Sequence, residues 1–158
     1  MRKTVAAIAM AAGAMIGTHA MAFQIQDGGI TAAEVAKVLQ DKGYKAEITT
    51  DNEGDPEVKS STDGGNFAIF FYGCNKGPRC SSIEFQAGYD LPNGMSLDKI
   101  NQWNKEHRFL RAYLDKDNDP YAEMDLDVEH AFLTEGLANN IDTWAAVLPK
   151  FKQFIGFK

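Results

Sequence analysis

Apolar residues along this chain recur with two periods, and the points where one gives way to the other mark its elements. Val35, Val38 and Leu39 follow Thr31 and Glu34, which stand at capping-box spacing, and Gly43 closes the run as a helix stop. Tyr44, Ala46 and Ile48 then alternate with Lys45, Glu47 and Thr49, which predicts a half-buried strand. The segment DNEGDP (51–56) turns the chain into a short polar strand, EVKSS, and Asp63-Gly64-Gly65 turns it again.

Residues 66–85, NFAIFFYGCNKGPRCSSIEF, carry the strongest register information. A hairpin centred on Gly77 sets Cys74 opposite Cys80, Tyr72 opposite Ser82, Phe71 opposite Ile83, Ile69 opposite Phe85 and Phe67 opposite Ala87. One face then holds all the large apolar residues of both strands except Phe70 and Tyr72, and a one-residue slip would scatter the set. The other face carries Ala68, Phe70 and Tyr72 against Ser82, Glu84 and Gln86. A covering helix or a central place in the sheet would absorb its apolar half. Left bare, it is a patch for dimerisation or partner binding, with Phe70 and Tyr72 as contact residues.

Further on, Ser96 is an N-cap and Leu97, Ile100 and Trp103 form a helix stripe, with Asn101, Asn104 and His107 as polar neighbours. RFLRAYLDKDNDPYAEMDLDVEH (108–130) reads as a second hairpin. Centred between Asp117 and Asn118, it pairs Tyr113 with Ala122, Arg111 with Met124 and Phe109 with Leu126. Glu123, Asp125, Asp127 and Glu129 then share the reverse face, where Arg108 meets Asp127. Like charges along one strand repel, so this acidic face is expected to be solvated; a divalent ion or a cationic partner is the competing reading. Leu137, Ile141, Trp144, Leu148, Phe151 and Ile155, spaced by alternating fours and threes, predict a final amphipathic helix capped by Thr134, which Pro149 should kink or split. Trp103 and Trp144 fall in the core. The order α-β-β-β-β-α-β-β-α, joined by hairpin turns, is that of an α+β fold with a mainly antiparallel sheet and flanking helices.

The ends and the charge narrow the setting. Arg2 and Lys3, the small and apolar run Thr4–Gly17 and the Ala20-Met21-Ala22 site form a secretory leader, cleaved after Ala22 to leave one domain over 23–158. The apolar run is too short for a membrane span, so the expectation is an exported protein, periplasmic or secreted, with no anchor after cleavage. In an oxidising compartment the two cysteines of the chain, Cys74 and Cys80, are expected to pair. Their C-x5-C spacing is not that of a redox motif, and no His cluster completes a zinc site. The net charge of −6 becomes −8 once the basic leader is gone, which argues against nucleic acid as a partner.

Catalytic patterns do not emerge. His107 and His130 stand outside metal-ligand spacing, and the G-x-S-x-G, P-loop and G-x-G-x-x-G signatures do not occur. Asp115, Asp117 and Asp119 mimic the start of a calcium loop, but Pro120 and Leu126 occupy the positions that need Gly and a bidentate Glu. No catalytic residue, metal or cofactor is assigned.

The turn within Thr50–Pro56, with Asp51, Gly54, Asp55 and Pro56, combines with the aromatic-rich third strand, with Asn101-x-Trp103-Asn104 before a basic-aromatic strand, and with Asp142-x-Trp144 near the end. Together these resemble the YbjN-domain family of bacterial proteins over nearly all of the chain after the leader. The resemblance implies a fold like that of type III secretion chaperones, a curved antiparallel sheet with helices against it, commonly dimeric, and a loose description as sensory-transduction regulators. It brings no catalytic residues. The leading expectation is a non-enzymatic binding or regulatory module that recognises a polypeptide, or a second copy of itself, through apolar sheet or helix surface. A small-ligand or divalent-cation sensor on the acidic strand 123–129 comes second, and a hydrolase without a recognised motif third.

Overall fold

The computed structural model describes residues 28–74, 77–130 and 134–158; the expected leader, 1–22, lies outside the described residues. Helix α1 (Ala32–Asp41) leads into strands β1 (Glu47–Thr50), β2 (Pro56–Thr62), β3 (Gly65–Tyr72) and β4 (Ser82–Gly88). Helix α2 (Leu97–Glu106), strands β5 (Arg111–Leu114) and β6 (Pro120–Asp127), and helix α3 (Thr134–Ile155) complete the predicted order. The strands form one antiparallel sheet in the order β1-β2-β3-β4-β6-β5.

Side chains alternate across a strand, so pairing fixes what each face carries. Ile69 pairs with Phe85, Phe71 with Ile83 and Tyr72 with Ser82, as the apolar pattern requires. The rows Val58-Ile69-Phe85-Met124 and Ser60-Phe67-Ala87-Ala122-Ala112 therefore project to one side. All three helices add their buried stripes to the same core: Val35, Val38 and Leu39 from α1, Ile100 and Trp103 from α2, and Leu137 to Ile155 from α3. Trp144 lies against Phe67 and Phe85, with ring centroids 5.7 and 5.6 Å away, and Trp103 meets Phe151 at 5.0 Å. Both tryptophans are core residues, as their helical spacing predicts.

Cys74 and Cys80 form a disulfide across the end of the β3–β4 hairpin. A loop this short contributes only about 2 kcal/mol in the chain-entropy model. Its second effect is positional: Ile30 and Cys80 exchange backbone hydrogen bonds, and Arg79 donates to the Gly29 carbonyl and pairs with Glu34 of the α1 capping box. The chain entering the fold is thus tied to the hairpin end.

The two outer hairpins turn in the same way. In β1–β2 the Asp51 carboxylate accepts from the amides of Glu53 and Asp55, and Gly54 takes a left-handed φ of 93°. In β5–β6 the Asp115 carboxylate accepts from Asp117 and Asp119, and Asn118 takes φ 63°. Each turn is an Asp-x-x-(Gly or Asn)-Asp-Pro run, and each follows a helix. This geometry corrects the predicted register of the second hairpin by one residue. Because Asp115 bonds Asp119 across the turn, its centre is Asp117, so Arg111 faces Glu123, Ala112 faces Ala122 and Tyr113 faces Tyr121. The β5 edge is closed by α2: the Asn104 amide donates to the Ala112 carbonyl and accepts from its N–H, both at 2.9 Å, which occupies backbone groups that an edge strand otherwise presents.

Pro149 does not split the last helix, which runs unbroken from Thr134 to Ile155. Buried Leu148 and Phe151 anchor the turns on both sides of it, and that packing offsets a proline cost of about 3 kcal/mol. Thr134, expected as its cap, is instead the first residue of the helix, and the position before it lies outside the described residues. Here the Asp63-Gly64 turn between β2 and β3 presses on the helix. A Cβ on Gly64 would sit 2.7 Å from Leu148 Cγ and 2.9 Å from the Pro149 nitrogen. Replacing Gly64 with Ala should therefore force the turn off α3 and lower stability by roughly 1–3 kcal/mol in urea unfolding; an unchanged midpoint would show that this contact is not tight.

Candidate functional site

With every helix on one side, the opposite face of the sheet has no element over it among the described residues. Its rows follow from the same pairings. One runs Glu47-Lys59-Ala68-Gln86-Glu123-Arg111 across all six strands, and the next runs Thr49-Glu57-Phe70-Glu84-Asp125. Tyr72, Ser82 and Asp127 stand in the row beyond. Neither a covering helix nor the central place of β3 absorbs the aromatic patch: Phe70 is half-buried by its neighbours and Tyr72 is 47% exposed.

Two hollows lie on this face and share Gln86. The larger, about 580 Å³, is lined by Lys45, Glu47, Lys59, Asn66, Ala68 and Gly88 among others. The smaller, about 260 Å³, is lined by Phe70, Tyr72, Gln86 and the Asp51–Glu53 turn.

Beside the aromatics stands a charged cluster that the acidic strand alone does not reveal. Glu84 and Glu123 are 8% and 5% exposed although no helix covers them. Neighbouring side chains do the burying. Tyr72 OH donates to Glu84 at 3.5 Å, and Gln86 donates to Glu84 at 3.3 Å and to Glu123 at 3.0 Å. Arg111 reaches over from the edge strand, hydrogen-bonds Glu123, and lies 3.6 Å from both Glu84 and Asp125. Tyr113 stacks on Tyr121 with centroids 5.3 Å apart.

The expected solvated row of four carboxylates is therefore corrected. Glu123 is buried beneath Arg111, Asp125 and Asp127 are exposed, and Glu129 lies past the end of β6. Arg111, not Arg108, balances the charge; Arg108 instead lies over the Phe109 ring at 4.8 Å. The one-residue shift of register explains both, because it moves Arg111 onto the face of Glu123. Among the described residues no group of His, Cys, Asp and Glu is arranged to hold a metal ion, and the Asp115 carboxylate is used by its own turn. Nor is any helix there long and apolar enough to cross a membrane. Glu84 and Arg111 are the members of the site that sequence reasoning passes over, and the recurrence of Asp-x-x-(Gly or Asn)-Asp-Pro is the signal that places Arg111.

Burial, then the charges of Glu123 and Asp125, push the Glu84 carboxyl up to about 7, with Arg111 pulling the other way. Tyr72 is raised too, by burial first and then by Glu84 and Glu123. A carboxyl whose folded pKa lies above its unfolded value favours the fold while it is protonated. That contribution is present below the unfolded value near 4.5 and is lost as the pH rises through about 7. Glu84→Gln, uncharged throughout, should be more stable than the parent by up to about 2 kcal/mol near pH 8 and nearly equal to it near pH 4. Denaturation midpoints measured across that range check this; parallel curves would contradict it.

No curated protein matches the chain. Among solved structures it is similar to a chain of the crystal structure of the Yersinia pestis type III secretion chaperone SycH in complex with a stable fragment of YscM2. The identity is 16% and the TM-score 0.46, over 75% of this chain and 97% of that one. The family model YbjN, whose description reads "Putative bacterial sensory transduction regulator", matches residues 31–157, from the cap of α1 to just past the end of α3. The resemblance carried by the turn, the N-x-W-N and the D-x-W residues is thereby established, and the chain belongs to the YbjN family.

Proposed function

We propose that this chain is a non-enzymatic periplasmic module that binds a polypeptide through the uncovered face of its sheet, with Phe70 and Tyr72 at the centre of contact. The observation that carries this reading is the face itself: six strands wide, free of helices among the described residues, and bearing aromatic side chains beside two hollows. Stacking surface next to hydrogen-bonding groups is what extended chains need from a partner. The carboxylates there are held by Tyr72, Gln86 and Arg111, which suits recognition better than the activation of water. A family of regulators fits a role exerted through binding. The periplasmic setting is supported by the leader pattern of residues 1–22 and by the Cys74–Cys80 disulfide, a bond that persists in oxidising compartments.

Affinity capture from a periplasmic extract tests the reading. The bait is the chain from Phe23, run beside a variant with Phe70→Lys and Tyr72→Lys whose fold is verified by circular dichroism. A polypeptide enriched on the first bait and absent from the second is the expected result. Equal enrichment on both would move the contact surface away from this face.

A further inference from the structure

The uncovered face is uneven in charge. Around Phe70 and Tyr72 stand Glu84, Asp125 and Asp127, and the turn bearing Asp51 and Glu53 lines the same hollow as both aromatics. Against these carboxylates the face sets Arg111 at this end, while Lys59, paired with Glu57, and Lys45, beside Glu47, belong to the larger hollow. Sealing such a surface under an apolar or acidic partner would strip water from charges that gain nothing in return. Two copies set with these acidic ends together would repel.

Arg111 shows what chemistry the surface accepts. Its guanidinium spans Glu84, Glu123 and Asp125, yet its side chain is 61% exposed, so one solvent-facing cation serves three carboxylates. The Asp125 side chain is itself 65% exposed. Tyr72 beside Glu84 offers a ring face on which the methylene stem of a lysine or arginine can lie, with the charged head over the carboxylates.

We propose that the Phe70–Tyr72 end of this face receives a cationic segment of a partner polypeptide, its lysine or arginine heads joining Arg111 over Glu84, Glu123 and Asp125 while their stems lie on the two aromatic rings. The inference rests on the reading of the face as a polypeptide-binding surface and adds the partner's chemistry.

The test uses the chain from Phe23 and three labelled peptides of equal length, alternating alanine with lysine, with leucine or with glutamate, followed by fluorescence anisotropy at low salt. Asp125→Asn combined with Tyr72→Ser alters two exposed side chains and should leave the fold intact. Asp98→Asn, on exposed α2 surface, makes the same charge change away from the site. The lysine peptide should bind, lose about tenfold in affinity to the double variant, and be indifferent to Asp98→Asn. The glutamate peptide should not bind. Equal weakening by Asp98→Asn would reduce the effect to general charge attraction and overturn the proposal, as would lysine-peptide binding that the double variant leaves unchanged. Binding of the leucine peptide alone, abolished by the double variant, would also overturn the cationic class while leaving the face a docking surface. A lysine peptide that does not bind overturns the proposal, and the capture experiment then decides separately whether the face binds polypeptide at all.

Discussion

Both faces of this protein depend on the register of one hairpin. In β3 and β4 the residues alternate so that Phe67, Ile69, Phe71, Ile83, Phe85 and Ala87 share a side, and the Cys74–Cys80 bond ties the hairpin end in that pairing. Slipping β4 by one residue against β3 would turn Ile83, Phe85 and Ala87 out to water and carry Glu84 and Gln86 into the core. Because the pairing holds, β2 and β6 extend the same rows outward, and only one side of the sheet is apolar enough to attract helices. The stripes of α1, α2 and α3 all pack there. The bare opposite face is a consequence of the same alternation.

A second regularity shapes the edges. Helix, strand, Asp-x-x-(Gly or Asn)-Asp-Pro turn and strand occur twice, as α1-β1-β2 and α2-β5-β6, and the two units occupy opposite ends of the sheet. The shared turn closes through an aspartate that caps two amides and a left-handed residue two positions before the proline that opens the next strand. That device sets how many residues separate the strands, and so decides which side chains meet. Arg111 reaches Glu123 for this reason alone.

How much of this could be read from residues follows from where the information lies. The β3–β4 pairing was legible because large apolar residues alternate cleanly and two cysteines mark the end. The caps of α1 and α2 were legible because Thr31 with Glu34, and Ser96, are local signals. The β5–β6 register was not, because RAYL carries no alternation to match that of AEMDLD, and the turn chemistry, which was present in the sequence, sets the pairing. The burial of Glu84 and Glu123 was beyond reach of any local pattern. It arises from Tyr72, Gln86 and Arg111 converging from β3, β4 and β5. Pro149 misled in the other direction, since propensity argues for a break and the packing of Leu148 and Phe151 overrides it.

Buried carboxylates on an open sheet face make a poor device for stability, because ionic groups screened from water are costly unless fully paired. Glu84 is held near its neutral form at the edge of physiological pH, with one exposed guanidinium serving it and two neighbours. Such a surface makes physical sense as one half of a contact. The most direct measurement is in-cell photocrosslinking from a benzoylphenylalanine placed at position 70, compared with the same probe at Leu97, an exposed apolar residue on α2. A polypeptide-binding sheet face should give a discrete polypeptide adduct from position 70 and none from position 97. Adducts from position 97 alone would contradict it.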